Sequence, residues 1–311
     1  MQYLGEVISL GVAFSWTVAA LSCEIGSKRM GVFVLNVWRM GVALLLSLGL
    51  MWLTLGSPYP VYASGSTWMW LLLSGMVGYF FGDWCLFNSY ITIGSRFGQL
   101  FMTLAPMFTA LTAWVFLGQT LSWTSLLAMC VTMLGIAISV LGRGEGKGLS
   151  LALPTKGVLY GIGAGLGQGL GLVLSKIGVD SYVGDVPADV IDQVGSYLPF
   201  ASNGIRCVAG LVCFTAWLLL SGQASRLRSS AHDRVGMAAM LVAVVSGPFI
   251  GVGFSLMAVQ HTAAGIASTI MAMTPILILW PSHRLFGQPI TLRGVVGAVI
   301  SVVGVSLFFL L

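Results

Sequence analysis

The sequence predicts an all-α integral membrane protein with ten transmembrane helices arranged as two inverted-topology five-helix repeats. Three observations carry that expectation. Of 311 residues, 57% are hydrophobic and 7% are charged, against roughly 25% charged in a soluble domain. Uncharged runs of about 20 residues, the length that crosses a hydrocarbon core, recur along nearly the whole chain. The third observation is an internal repeat. A mean hydropathy of +0.97 leaves most of the surface to face lipid. A β-barrel is excluded, because barrel strands alternate in polarity and stretches such as Leu292 to Leu311 are apolar on every face.

The spans read in order are Gln2 to Cys23, Val32 to Leu55, Trp68 to Tyr90, Phe97 to Phe116, Ser122 to Leu141, Gly157 to Gly178, Ile205 to Ser221, Val235 to Gln260, Ala264 to Leu285 and Leu292 to Leu311. They are numbered helix 1 to helix 10. The breaks between them hold turn chemistry: Gly-Ser-Pro-Tyr-Pro from Gly56, Gly118-Gln119, Arg143-Gly-Glu-Gly-Lys-Gly and Gly287-Gln288-Pro289. These residues supply dihedrals that a helix cannot. The first segment follows no basic n-region and precedes no small-residue cleavage site, so it is expected to stay as a helix. The five cysteines, Cys23, Cys85, Cys130, Cys207 and Cys213, fall inside apolar runs without metal or redox spacing and read as packing residues.

The repeat appears on shifting the chain by 169 residues. Gly78, Gly82, Met102, Pro106, Gly118, Gln119 and Gly135 then fall on Gly247, Gly251, Met271, Pro275, Gly287, Gln288 and Gly304. A shift of 152 places Gly5 on Gly157, Gly11 on Gly163 and Glu24-Ile-Gly26 on Lys176-Ile-Gly178, and a shift of 167 pairs Asn36-x-x-Arg39 with Asn203-x-x-Arg206. The change of offset marks an insertion of about 15 residues within about 180–203. Residues 1–142 form the first repeat, 143–156 the linker and 157–311 the second. Five helices is an odd number, so the second half enters the membrane from the opposite side, an arrangement common in secondary transporters.

The chain resembles the drug/metabolite transporter superfamily, specifically proteins with two EamA-type domains, over essentially its whole length. The resemblance is carried by Phe14-Ser-Trp16, Arg39, Arg206 and Gly94-Ser-Arg96, by Leu104-Ala-Pro106 through Phe116-Leu-Gly-Gln119, and by Met273-Thr-Pro275 through Leu285-Phe-Gly-Gln288. It implies a transporter whose central cavity is lined by helices 1, 3, 4, 6, 8 and 9. The family usually has Glu after the Leu-Gly of helix 4. Both halves here have Gln, which weakens a charged role at that position.

The net charge of +5 reads as a topology signal rather than as an affinity for nucleic acid. Odd-numbered loops hold Lys28, Arg29, Arg96, Arg143, Lys147, Lys156, Arg226, Arg228, Arg234, Arg284 and Arg293. The even-numbered side has Lys176 and Arg206, with Asp180, Asp185, Asp189 and Asp192. Positive charge is retained on the cytoplasmic side, which places both termini outside a bacterial-type inner membrane. The resemblance implies termini inside, and the size of the asymmetry favours the charge count.

Asp83 is read as the only acidic residue far from a helix end. A carboxylate at that depth is costly unless paired, protonated or wetted. It either ties neighbouring helices together or recognises a substrate ammonium or couples transport to protons. Glu6 and Glu24 read as interfacial. Helix 4 sets Gln99, Met102, Thr103 and Pro106 on one face, and helix 9 sets Ser268, Met271 and Pro275 at the matching positions. That mixture of apolar wall and fixed polar groups suits a small-molecule cavity, although polar side chains also join membrane helices. Trp16 corresponds to Gln168 in the repeat, so the two face each other across the pseudo-twofold axis; Tyr79, Trp84, Tyr90 and Phe254 are further wall candidates. Helix 6 carries glycines at 161, 163, 165, 167, 169 and 171 without a nucleotide fingerprint. Their two small-xxx-small tracks permit close packing and suggest a gating helix in which Gly165 and Gly169 take part, with Pro106, Pro275, Arg39 and Arg206 as gating or structural positions. Arg39 and Arg206 are placed near helix starts, snorkelling or paired with a loop carbonyl or carboxylate.

The function expected is secondary-active transport of a small metabolite, with export of an amino acid or related amphipathic solute foremost. A polytopic enzyme or flippase acting on lipid-linked substrates, and a sensor or scaffold subunit, are the other readings. No catalytic residue, cofactor or metal is expected. The partners are a small-molecule substrate and the bilayer, with the chain as a monomer or homodimer.

Overall fold

The computed structural model describes residues 3–118, 120, 122–143, 149–262 and 264–310. Six of the ten helices are continuous: helix 1 Leu4–Met30, helix 2 Val32–Leu55, helix 5 Trp123–Val140, helix 6 Thr155–Asp185, helix 7 Leu198–Leu220 and helix 10 Leu292–Leu310. Four are interrupted, in matching pairs. Helix 3 is built from Gly65–Ser74, a π-helical stretch Gly75–Asp83 and Trp84–Ile93. Helix 8 is built from Arg234–Val244, a π-helical stretch Val245–Gly251 and Val252–His261. Helix 4 breaks between Ser95–Met102 and Ala105–Leu117, and helix 9 between Ala264–Met271 and Thr274–Leu277, continuing as Leu279–Phe286. Among the described residues, eight helices are long and apolar enough to cross a membrane, and Arg234–Pro248 and Leu292–Leu307 are shorter apolar helices. The chain is an all-α integral membrane protein of two inverted five-helix repeats.

Proline explains the breaks in helices 4 and 9. A proline one turn into a helix withdraws an N–H donor and crowds the preceding turn, and Pro106 and Pro275 sit at the starts of the second segments. The turn before each tightens to i−3 bonds: Leu104 N–H donates to Phe101 O at 3.0 Å, and Met273 N–H to Ile270 O at 3.1 Å. Glycine makes the shortest connections. Gly31 and Gly94, at φ 84° and 88°, each join two helices through a single residue in a conformation that side chains rarely adopt.

The repeat governs packing as well as sequence. Helix 1 lies against helices 8 and 9, helix 6 against helices 3 and 4, and the pairs 2–7 and 5–10 pack on each other. Individual contacts exchange across the axis. A β-carbon built on Gly304 would meet Thr132, and one built on Gly135 would meet Ser301; Ser301 Oγ donates to Thr132 O at 3.4 Å. A β-carbon on Gly5 would meet Thr262, while one on Gly157 would meet Ile93. Each member of these pairs maps onto the other under the offsets of 152 and 169. The helix 3 and helix 8 starts are capped alike, Ser64 accepting from Thr67 N–H and Asp233 from Gly236 N–H.

Several expected boundaries move. Helix 1 continues past Cys23 to Met30, and Glu24 is fully buried among neighbouring helix ends. Helix 7 begins at Leu198 rather than Ile205, which puts Arg206 two turns inside rather than at the start. In the insertion, helix 6 runs on to Asp185 and a short helix, Ile191–Val194, follows; Met51, Tyr182, Val186, Val194, Leu198 and Ala201 form a core there. The linker holds a two-stranded antiparallel ribbon of Leu141–Arg143 and Leu149–Leu151, and its residues 144–148 lie outside the described residues. Gln119 lies outside them as well.

Candidate functional site

A cavity of about 520 Å³ lies between the two halves, within the roughly 300–1,000 Å³ range of small-molecule sites. Four helices present it with the same helical face. Trp16, Ala19, Ala20 and Cys23 come from helix 1; Asp83, Leu86, Phe87 and Tyr90 from helix 3; Gln99, Met102, Thr103 and Pro106 from helix 4; Ser268, Met271, Ala272 and Pro275 from helix 9. In every set the spacing is i, i+3, i+4, i+7, the stripe one side of an α-helix presents. Helix 6 adds Gln168, helix 2 adds Arg39 and helix 10 adds Val305. Among the described residues, none of those lining the cavity comes from helix 8, which the resemblance places on the wall; its Gly251 makes room for the Trp16 indole.

The polar centre of the cavity is an ion pair. Arg39 donates to Asp83 Oδ2, and Gln168 Nε2 donates to Asp83 Oδ1 at 2.8 Å and to Gly78 O at 3.2 Å. The Arg39 guanidinium lies over the Phe87 ring, 4.8 Å from its centroid. Asp83 is 4% exposed, so the pair is a buried one whose members are costly to leave alone. The carboxylate sits at the last residue of the π-helical stretch, and such turns gather at functional sites. A short polar contact flanks the pair: Gln99 Nε2 donates to the Tyr90 hydroxyl at 2.6 Å.

Trp16, Asp83, Tyr90, Gln99, Met102, Thr103, Gln168, Ser268, Met271, Pro106, Pro275 and Arg39 are thus brought together around one space. Tyr79, Trp84 and Phe254 are not. Tyr79 donates its hydroxyl to Asn203 and lies under the Arg206 guanidinium at 4.5 Å. Trp84 packs edge-on against Tyr160 with centroids 5.4 Å apart, and Phe254 is 47% exposed on the outer surface. An aromatic side chain on an apolar helix serves cavity, core and lipid equally well in composition, and only neighbours separate the cases. Leu86, Phe87, Ala19 and Ala20 were legible by extending the i, i+3, i+4, i+7 rule from Asp83 and Trp16.

Helix 6 packs closely between helices 3 and 4. β-carbons at Gly163, Gly167 and Gly171 would stand 2.8, 2.6 and 2.7 Å from Cys85 Sγ, Gly82 Cα and Gly78 Cα of helix 3. On the other face, those at Gly165 and Gly169 would stand 2.9 and 2.7 Å from Leu104 and Phe108 Cβ of helix 4. The two glycine tracks therefore let helix 6 bring Gln168 to Asp83.

One end of the cavity is tied shut. Glu24 accepts from Ser95 N–H at 2.7 Å, from Gln288 Nε2 at 3.2 and 3.3 Å, and from Lys28. Arg96 is 3% exposed and donates to Pro289 O. Arg29 adds paired bonds to Asp233 at 3.0 and 2.8 Å. Helix 1 is thereby joined to the starts of helices 4 and 8 and to the loop after helix 9. Lys176, the counterpart of Glu24, lies on the surface and pairs with Asp180 at 2.8 Å, with exposures of 59% and 62%.

A ten-helix membrane protein whose halves exchange contacts about a pseudo-twofold axis, with a solute-sized cavity on that axis, belongs to the class of small-molecule transporters. The chain belongs to the EamA-like transporter family, which it matches over residues 3–141 and 155–310; this is a transporter of the drug/metabolite type. No curated protein matches it. Among solved structures, one described only as the crystal structure of a protein aligns with 100% of this chain and 98% of its own, at a TM-score of 0.60 and 14% identity, a likeness of fold.

Proposed function

We propose that the protein is a secondary-active exporter of amino acids or related amphipathic solutes, working by alternating access between its two repeats. The observation that carries this reading is the cavity on the repeat axis, apolar over most of its wall and polar at Asp83, Arg39, Gln168 and Gln99. A site shared by two inverted halves is reached from either side when one half rocks against the other. With the odd-numbered loops cytoplasmic, as the lysine and arginine count favours, the Glu24 network closes the cytoplasmic end. Opening that end breaks the bonds from Ser95 and Gln288 to Glu24 and moves the first turns of helix 4. Helix 6, smooth on the two faces that meet helices 3 and 4, is the element that slides, with Gly165 and Gly169 on its helix 4 face. Asp83 sits where a charge change at the ion pair reaches helices 2, 3 and 6 together, which makes it the residue for recognition or coupling.

The test is counterflow of a labelled amino-acid panel in proteoliposomes across a range of external pH, with wild-type protein and Asp83→Asn. The proposal expects saturable flux for the wild type and a changed rate and pH dependence for the variant. Unchanged transport and pH dependence in Asp83→Asn would remove Asp83 from the mechanism and leave the transporter in place.

A further inference from the structure

Arg39 and Arg206 occupy the same position in the two repeats, but one carboxylate serves both. Asp83 has Val252 as its counterpart under the 169-residue offset, so the second repeat supplies an arginine without an acid. Arg39 donates to Asp83 through one nitrogen, and its Nε has no hydrogen-bond partner. Arg206 Nε is likewise buried without one, and its guanidinium rests on Tyr79. The Arg206 guanidinium approaches within 3.2 Å of where a Gly78 β-carbon would stand, and Gly78 O binds the same Gln168 amide that binds Asp83. The charges of both Arg39 and Arg206 act on the buried Asp83, so two guanidiniums face one carboxylate and a surplus positive charge remains. Such a surplus inside a bilayer is expensive and points to a missing counter-charge. Glu24, the nearest other buried acid in helix 1, is taken by Lys28, Ser95 and Gln288.

We propose that the solute carries a single carboxylate, that Arg39 binds it, and that Asp83 holds its place on Arg39 while the cavity is empty. The inference rests on the reading of this cavity as the transport site. A guanidinium takes a carboxylate through two parallel N–H bonds, and the Arg39 Nε is the second donor that Asp83 leaves unused. One surplus charge matches a monoanion. A cationic solute would meet the field of two arginines and an Asp83 whose oxygens already accept from Arg39 and Gln168. Met102, Met271, Leu86 and Trp16 form an apolar wall for the rest of the molecule. An amino acid fits: its carboxylate displaces Asp83, and the freed Asp83 faces its ammonium.

The experiment is calorimetric titration of the purified full-length protein with three compounds sharing one apolar body, 3-phenylpropanoate, 3-phenylpropanamide and 3-phenylpropylamine. The carboxylate is expected to bind about tenfold or more tighter than the amide, the gain of a charge-assisted bond, and the amine weakest. Asp83→Asn, which removes the competitor, is expected to tighten the carboxylate and leave the amide unchanged. The paired variant Arg39→Gln/Asp83→Asn, which strands no charge, is expected to bind carboxylate and amide equally. Tighter binding of amine or amide, weaker carboxylate binding by Asp83→Asn, or a carboxylate preference that survives the paired variant would overturn the inference while the cavity remains a solute site. If none of the three bound, the inference and the transport reading would fall together.

Discussion

Arg39 and Arg206 stand at the same point of two copies of one fold, yet one faces an aspartate and the other a tyrosine ring. The same divergence runs through the repeat. Glu24 is buried and bonded to Ser95 and Gln288 while its counterpart Lys176 is on the surface. Gly163 has Cys85 against it, whereas Gly11 has nothing within 4 Å. Features that hold backbones at a distance, the glycines of helices 5 and 10 and the prolines of helices 4 and 9, stay symmetric. Features that carry charge do not. Symmetry supplies the scaffold, and the departures set the charge of the cavity and the difference between the two ends.

That comparison is broken most forcefully at the arginines. Arg39→Gln leaves Asp83 buried without its partner and is expected to cost about 3–5 kcal/mol, seen as a large loss of thermal stability in detergent. Arg206→Gln gives up a ring contact worth about 0.5–2 kcal/mol but relieves the surplus positive charge beside Arg39, so its net loss is expected to be small. Equal losses would mean that the two sites are energetically alike. The glycines give the next effect. Gly167→Val drives a side chain into the Gly82 backbone and should cost about 1–3 kcal/mol, while Gly11→Ala is expected to be neutral or to gain up to about 1 kcal/mol in helix propensity. Both are read from unfolding midpoints.

The smallest effect is in the capping pair at the starts of helices 3 and 8. Asp233 is held below the usual carboxylate range, first by Arg29 and next by the Gly236 N–H; Ser64, its counterpart, does not titrate. A depressed carboxylate contributes stability above its unfolded value, near 3.9, and loses it as pH falls through the lower folded value. Asp233→Asn should therefore lower the melting temperature slightly at neutral pH and converge with the wild type below about pH 3. A constant difference across that window would assign the effect to geometry rather than charge.

The spans, the repeat and its pivots were legible because glycine and proline leave identifiable marks and because a membrane demands apolar length. The cavity faces of helices 4 and 9 were legible through helical periodicity, and single residues of the faces of helices 1 and 3. The ion pair was not: Arg39 and Asp83 lie on different helices, 44 residues apart, and no local pattern links them. The burial of Glu24 was hidden for a related reason. Its burial depends on helix 1 continuing through the basic turn of Lys28 and Arg29 to Gly31, a run that reads as a loop by charge. The π-helical stretches leave no mark in periodicity, since each offsets its helix by a single residue. Tyr79, Trp84 and Phe254 share the composition of cavity residues and differ only in their neighbours.

The central claim is that the space between the repeats is the path of the solute. The direct measurement is counterflow of labelled amino acids into proteoliposomes bearing wild-type protein or Ala272→Trp, which fills the cavity from its helix 9 wall. The account predicts saturable flux for the wild type and its loss in the variant at a similar melting temperature. Flux no greater than that of protein-free liposomes across the panel, or a variant that transports like the wild type, would contradict it.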